Sequence, residues 1–339
     1  MKQGLMGLRR PAAAAAGLGL ALLAVLFALI VVSASTGTTR IPFLEAAAVL
    51  LGGGDEAQRM IIFNLRLPRT LAAVLVGSAL AVSGALMQGV FRNPLASPDL
   101  MGVSGGASVL VVGFLTVTAS RYSIHLLPFI AVCGAFGAAA MIYALAWKRG
   151  VGTFRLLLIG VGVSTAASAL TTFLLISGPA YMASQVLNWL TGTLYGTSKE
   201  YVWTLLPWAA VFIPAAWAMS RHLNVLALGD ATAVGLGSAV NRTRLLLLFF
   251  SVALAGASVG IAGNVSFVGL IAPHMARSLV GNNHARMIPI SALLGALLLV
   301  LADLAGRTLF SPYDLPAGIF TAAFGAPFFF YLLYKRKGR

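Results

Sequence analysis

Nine apolar stretches dominate this chain, at about residues 12 to 33, 67 to 90, 100 to 118, 126 to 147, 155 to 177, 203 to 219, 245 to 272, 287 to 303 and 315 to 334. Their lengths fall around the roughly 17 to 25 residues that a helix needs to cross a hydrocarbon core, and none shows the alternating polarity of a barrel strand. Such a chain must satisfy its backbone within helices and lie in a bilayer. Composition agrees, with 59% hydrophobic and 9% charged residues, where soluble domains carry about a quarter charged. The expected class is all-α, a polytopic integral membrane protein. A net charge of +15 would suggest nucleic acid in a soluble protein; here its placement along the chain reads as topology, and no nucleic-acid partner is expected.

The head, "MKQGLMGLRR", has the basic start of a signal peptide, but the apolar stretch from Ala12 to Val32 exceeds the roughly 7 to 15 residues of a signal core and reads as a retained first helix. Nine single crossings would put the two ends on opposite faces. Both ends are basic, however, with Lys2, Arg9 and Arg10 at the head and Lys335, Arg336, Lys337 and Arg339 at the tail, and basic ends favour the cytoplasm. One stretch must therefore hide two crossings. The best candidate is 245 to 272, flanked by Arg242, Arg244, Arg277 and Arg286 and interrupted by Gly263, Asn264 and Ser266. That predicts about ten transmembrane helices with both termini cytoplasmic. On this topology the outer face holds 7 basic residues (Arg40, Arg59, Arg66, Arg69, Arg121, Lys199 and Arg307) and the inner face the other 16 of the 23, the expected bias. The second half of the hairpin meets Pro273 too soon to span alone, a feature of transport pathways. Gly77, Ala81, Ala85 and Gly89 fall four apart and read as helix packing.

Several engines are excluded. No Gly-Lys pair exists, so there is no P-loop, and neither HExxH nor CxxC occurs. Cys133 is alone, and His125, His222, His274 and His284 are scattered; no metal site and no cofactor of the chain's own are expected. Ionisable residues within the apolar runs are nearly absent apart from Asp303 and Arg307, four apart at the outer end of the 287 to 303 run, the ninth helix, where they can pair on one face, which argues against an intramembrane charge relay. The chain itself reads as non-enzymatic, with any ATP bound and hydrolysed by a partner. That partner's place is the longest inward loop, Arg221 to Arg244, in which Asp230 would cap a short helix ended by Gly235 and Gly237. At the outer face, Arg66 and Arg69 bracket Pro68; such a pair either snorkels at the interface or forms a docking contact.

The stretch "RLPRTLAAVLVGSALAVSGALMQGVFRNPLASPDLMGVSGGA" from Arg66, with "LALGDATAVGLG", "SFVGLIAPHMARSLVG", "LADLAGR" and "LPAGIFTAAFGAPFFFYLL", closely resembles the FecCD-type permease subunits of ATP-binding-cassette importers for iron chelates, haem and vitamin B12. The likeness runs in order from about Arg66 to the C-terminus. It implies a single permease domain over 1–339 in the cell inner membrane, surrounded by lipid. It also implies a second permease copy or paralogue, two cytoplasmic ATPase subunits and a periplasmic or lipid-anchored substrate-binding protein.

By position, the resemblance makes Arg66, Arg69 and Arg307 the contacts for the binding protein's acidic residues. It makes Gly229, Asp230, Ala231, Thr232, Ala233, Val234, Gly235, Leu236 and Gly237 the coupling helix within the cytoplasmic loop 221–244. Gly152, Thr153 and Phe154 fall in the inner gate, although "GVGTFR" has fewer hydroxyls than the B12 member's loop. The inner loop "RNPLASPDLMG" looks more like that of ferric-siderophore and ferric-citrate members. Haem members tend to have an acid where Ser97 stands, and the B12 member has one at Arg92. Gln88, Asn93, Ser164 and Thr171 are candidates to line the path. An iron(III) chelate of siderophore type is the expected cargo, with haem or cobalamin as alternatives; a secondary carrier without an ATPase and a membrane receptor that moves nothing are the rivals from other classes.

Overall fold

The structure, a computed structural model, describes residues 12–37, 39–99, 101–118, 126–146 and 153–337. All regular elements among them are helical. The first part of the chain gives α1 (Ala12–Ser35), two short helices α2 (Phe43–Leu50) and α3 (Glu56–Met60), and then α4 (Leu67–Phe91). A π-helical turn over Ile61–Arg66 joins α3 to α4. Pro68 in the first turn of α4 has no N–H for the carbonyl four residues back, so the ladder widens there without losing a bond it could have made. There follow α5 (Val103–Thr118), α6 (Leu127–Ala146), α7 (Thr153–Ser177), the short α8 (Ala180–Leu190) and α9 (Lys199–Ala218). The last third comprises α10 (Ser220–Leu226), α11 (Asp230–Gly235), α12 (Val240–Ala262), α13 (Val268–Val280), α14 (His284–Thr308) and α15 (Ala317–Lys337).

Among the described residues, seven helical stretches are long and apolar enough to cross a membrane. Adding the shorter apolar α5 and α15 and the half-length α13 brings the membrane helices to ten, as the parity argument required. The hidden crossing lies where the sequence placed it: α12 stops at Gly263, and α13 begins after Phe267, whose left-handed backbone (φ 68°) turns the chain back. With 13 residues, α13 is about 20 Å long, short of a bilayer. α1 runs alongside α14 in the same direction, Gly19 lying against Ile290 and Ser33 meeting Arg307. α15 runs parallel to α13, with Gly325 against Phe267 and Phe328 edge-on to His274. The start of α1 and the end of α15 therefore share the side on which α4 ends.

α4 is the axis of the bundle, buried along almost its whole length against α14, α12, α13 and α9. Gly77 of the small-residue stripe lies backbone to backbone against Gly295 of α14, and Gly84, outside that stripe, lies equally close against Gly269 of α13. A Cβ at either place would collide with a carbonyl oxygen. Bare backbone contact of this kind is how helices associate where lipid supplies no hydrophobic drive.

Candidate functional site

Three regions carry polar chemistry, and α4 links two of them. At its outer start, Arg66 is 7% exposed and donates to the carbonyls of Ala34, at 2.6 Å, and Thr39. Arg69 is enclosed by carboxylates. Its Nε donates to Asp303 Oδ1 at 2.8 Å, and its two Nη groups form a fork on Asp314 at 2.5 and 2.8 Å. Its guanidinium carbon also lies 6.0 Å from the ring of Tyr195. Arg307 donates to the Ser33 carbonyl at 2.7 Å and the Thr36 carbonyl at 3.3 Å. Asp303 and Arg307, four apart on one helix face, pair only weakly, at 3.9 Å, because Arg69 occupies the carboxylate. The three arginines converge on one face, and their guanidinium groups are turned into the protein. Long stems let them reach inward acceptors, and buried charge requires such partners. Next to them lies a polar cleft of about 670 Å³ lined by Ser35, Thr36, Arg40, Arg307, Thr308 and Ser311.

At its inner end α4 meets the segment 221–244, expected to couple to an ATPase. That segment is two helices rather than a loop with one: α10 continues almost directly from α9, and α11 follows. Asp230 does not cap α11. Gly229 holds the capping position, with φ 104° and no side-chain cap, and Asp230 instead accepts from Arg92 at 2.9 Å and Arg244 at 3.1 Å. α11 ends as glycine predicts. The N–H of Gly237 (φ 77°) bonds to the Val234 carbonyl and that of Ser238 to Ala233, the paired closure of a Schellman motif with Gly237, not Gly235, in the left-handed position. Of the residues expected at an inner gate, Gly152 lies outside the described residues, and Thr153 and Phe154 open α7.

The third region is the surface of α7 and α8. The four path candidates do not form it. Gln88 is buried, donating to the Leu270 carbonyl at 3.2 Å and accepting from Arg277 at 3.2 Å. Asn93 accepts from the Leu95 N–H, Ser164 donates to the Asp99 carbonyl, and Thr171 is buried. Neighbouring polar residues are exposed instead: among them Thr165, Ser168 and Thr172 on α7, with Ser184, Gln185 and Asn188 on α8. The hydroxyls of Thr165 and Thr172 donate to their own helix, to the carbonyls of Val161 and Ser168. These six side chains are uncharged.

Comparisons with known proteins agree with this architecture. The model of the FecCD transport family matches residues 23–335. The chain is 45% identical over 323 residues to the "Probable siderophore transport system permease protein YfhA" of Bacillus subtilis, covering 94% of each. It is also 45% identical to the achromobactin transport system permease protein CbrC of Dickeya dadantii, over 94% of this chain and 91% of that one. Identity to the cobalamin import system permease protein BtuC of Halobacterium salinarum is 42%, over 86% of this chain and 78% of the other. Among solved structures, an inward-facing metal-chelate type ABC transporter superposes with a TM-score of 0.85 at 31% identity, covering 94% of this chain and 99% of that one.

Proposed function

The chain belongs to the FecCD transport family, and from that premise we propose that it is the membrane permease of an ATP-binding-cassette importer, carrying an iron(III) chelate of siderophore type across the inner membrane. The observation that carries this reading is the near full-length 45% identity to permeases named for siderophore and achromobactin transport. ATP is bound and hydrolysed by separate cytoplasmic ATPases, and the permease needs no cofactor. A binding protein delivers the chelate at the outer face. Arg66, Arg69 and Arg307 form the positive ground of that docking surface, where three guanidinium groups and the exposed Arg40 outweigh Asp303 and Asp314. Such surfaces speed encounter and fix register more than they add affinity.

The translocation path follows the hydroxyl and amide stripe of α7 and α8, closed by a second permease. Exposed polar side chains on a membrane helix belong against protein or water rather than lipid, and an uncharged wall suits a chelate that brings its own iron ligands. The segment from Gly229 to Gly237 receives the ATPase stroke, and Gly152 to Phe154 close the inner end. A cobalamin cargo is the second reading, favoured by the 42% identity to a cobalamin permease. Reconstitution in proteoliposomes with the cognate ATPase and binding protein tests all of this. The reading requires ATP-dependent uptake of ferric siderophore. Uptake driven by an ion gradient without ATPase would overturn it, and uptake of cobalamin alone would select the second reading.

A further inference from the structure

We propose that Asp230 is the joint through which α11 moves the bundle, with Arg92 of the α4 terminus and Arg244 of α12 as its two sockets. The inference rests on the functional reading above and specifies how the stroke is passed on. One carboxylate holds two arginines that lie 138 and 14 residues away in the sequence, each from a different membrane helix. α4 and α12 also pack on one another, bonded at mid-height by the reciprocal Ser83 and Ser251 hydroxyls. A displacement of α11 therefore pulls on two helices that are already tied together.

Arg92 supplies a second, independent observation. It occupies the left-handed position (φ 49°, ψ 31°) that closes α4, with its N–H on the Gly89 carbonyl and that of Asn93 on Gln88. Glycine satisfies the same two bonds without Cβ strain and is the usual residue there. The helix end alone thus gives no reason for an arginine. Its side chain gives one: it reaches Asp230 and lies over Gly229, where a Cβ would come within 3.4 Å of Arg92 Nη1 at a backbone angle of φ +104°. Strain kept for the sake of a side chain points to function. Exposure indicates which function, since Asp230 is 48% and Arg92 37% exposed. A pair this wet adds little to stability but can slide and re-form during a stroke, while the buried Arg244 keeps the register.

The test uses the complete complex with ATPase and binding protein in proteoliposomes, measuring ATP hydrolysis and uptake of a ferric hydroxamate. Arg92→Gly should assemble with the ATPase and continue to hydrolyse ATP, while uptake per ATP falls about fivefold or more, the range of a coupling between two sites, and Asp230→Asn should show the same fall in uptake per ATP. Arg92→Lys should recover much of the loss. Arg92→Gly should unfold at the same temperature as the parent or higher, since glycine removes the left-handed strain, so its defect cannot be ascribed to folding. Unchanged uptake per ATP in Asp230→Asn and Arg92→Gly would overturn the joint, and so would loss of ATPase assembly, which would make Asp230 a docking residue instead. Failure of the parent complex to require ATP would overturn the functional reading itself.

Discussion

Helix α4 ends in an ion network on each side of the membrane, and the two are built oppositely. At the outer end Arg69 sits between Asp303 and Asp314 with 11% of its side chain exposed and Asp303 only 2%. At the inner end Asp230 sits between Arg92 and Arg244, and two of the three groups are open to water. In the first, a cation is enclosed by anions in a setting of low dielectric, where each group depends on the other for compensation. In the second, water stands ready to replace either partner. The lesson is that one helix carries a fixed anchor outside and a releasable joint inside, as a rod driven from the cytoplasmic side requires.

Breaking the anchor should have the largest effect. Asp303→Ala leaves Arg69 and Arg307 short of a buried partner, and loss of one member of a buried pair costs about 3–5 kcal/mol. Thermal unfolding of purified permease in detergent should show a large fall, whereas Asp230→Asn, at the other end of the same helix, should shift stability by less than about 1 kcal/mol. Equal falls would mean that the two networks do not differ in kind. Between the ends, Gly84→Ala forces a methyl into the Gly269 carbonyl and should cost about 1–3 kcal/mol as overpacking. That variant ought to lower stability without changing uptake per ATP, separating damage to the rod from damage to the joint.

How much of this could be read from the sequence differs between the same two ends. The ten helices, the crossing hidden in 245 to 272 and the end of α11 at Gly237 follow from local signals: run length, basic flanks and glycine. The partners of Arg69 do not, since Asp303 and Asp314 lie 234 and 245 residues away and only the packing of α14 against α4 brings them near. Helix rotation was equally hidden. A membrane helix apolar on all sides has no polar face to show how it is turned, so Ser164 could not be told from Thr165, one position and about 100° further round. The first is bonded inward to Asp99, and the second is exposed. The pairing of Arg92 and Arg244 with Asp230 is not legible in the sequence, because no motif marks a side chain that closes an ion pair across two helices.

A smaller effect would sharpen the outer half of the comparison. Asp314 is the exposed member of the anchor, at 25%, and competes with any incoming carboxylate for the Arg69 fork. Asp314→Asn weakens that competition, raises the local positive charge and leaves Asp303 in place. If Arg69 contacts the binding protein, docking should tighten by about fivefold at low salt, or roughly 1 kcal/mol, the scale of a partly exposed charge pair. Surface plasmon resonance on permease in nanodiscs would read it, and unchanged affinity would assign Arg69 to the anchor alone.

The smallest change is expected from salt, and it needs no mutation. Raising ionic strength from 0.1 to 1 M shortens the screening length from about 10 to about 3 Å, comparable to the 2.9 Å that separates Arg92 from Asp230. A half-exposed pair feels this, because ions and water reach it; the pair of Arg69 with Asp303, walled by protein, does not. Uptake per ATP should therefore drop modestly with salt, while the unfolding temperature set by the outer anchor stays level. Docking of the binding protein also weakens with salt, so the measurement is made at saturating binding protein, which leaves the joint as the screened step. The Arg92→Gly permease, which lacks the screened bond, should lose most of that dependence, and a salt response equal to the parent's would place the screened contact elsewhere in the complex.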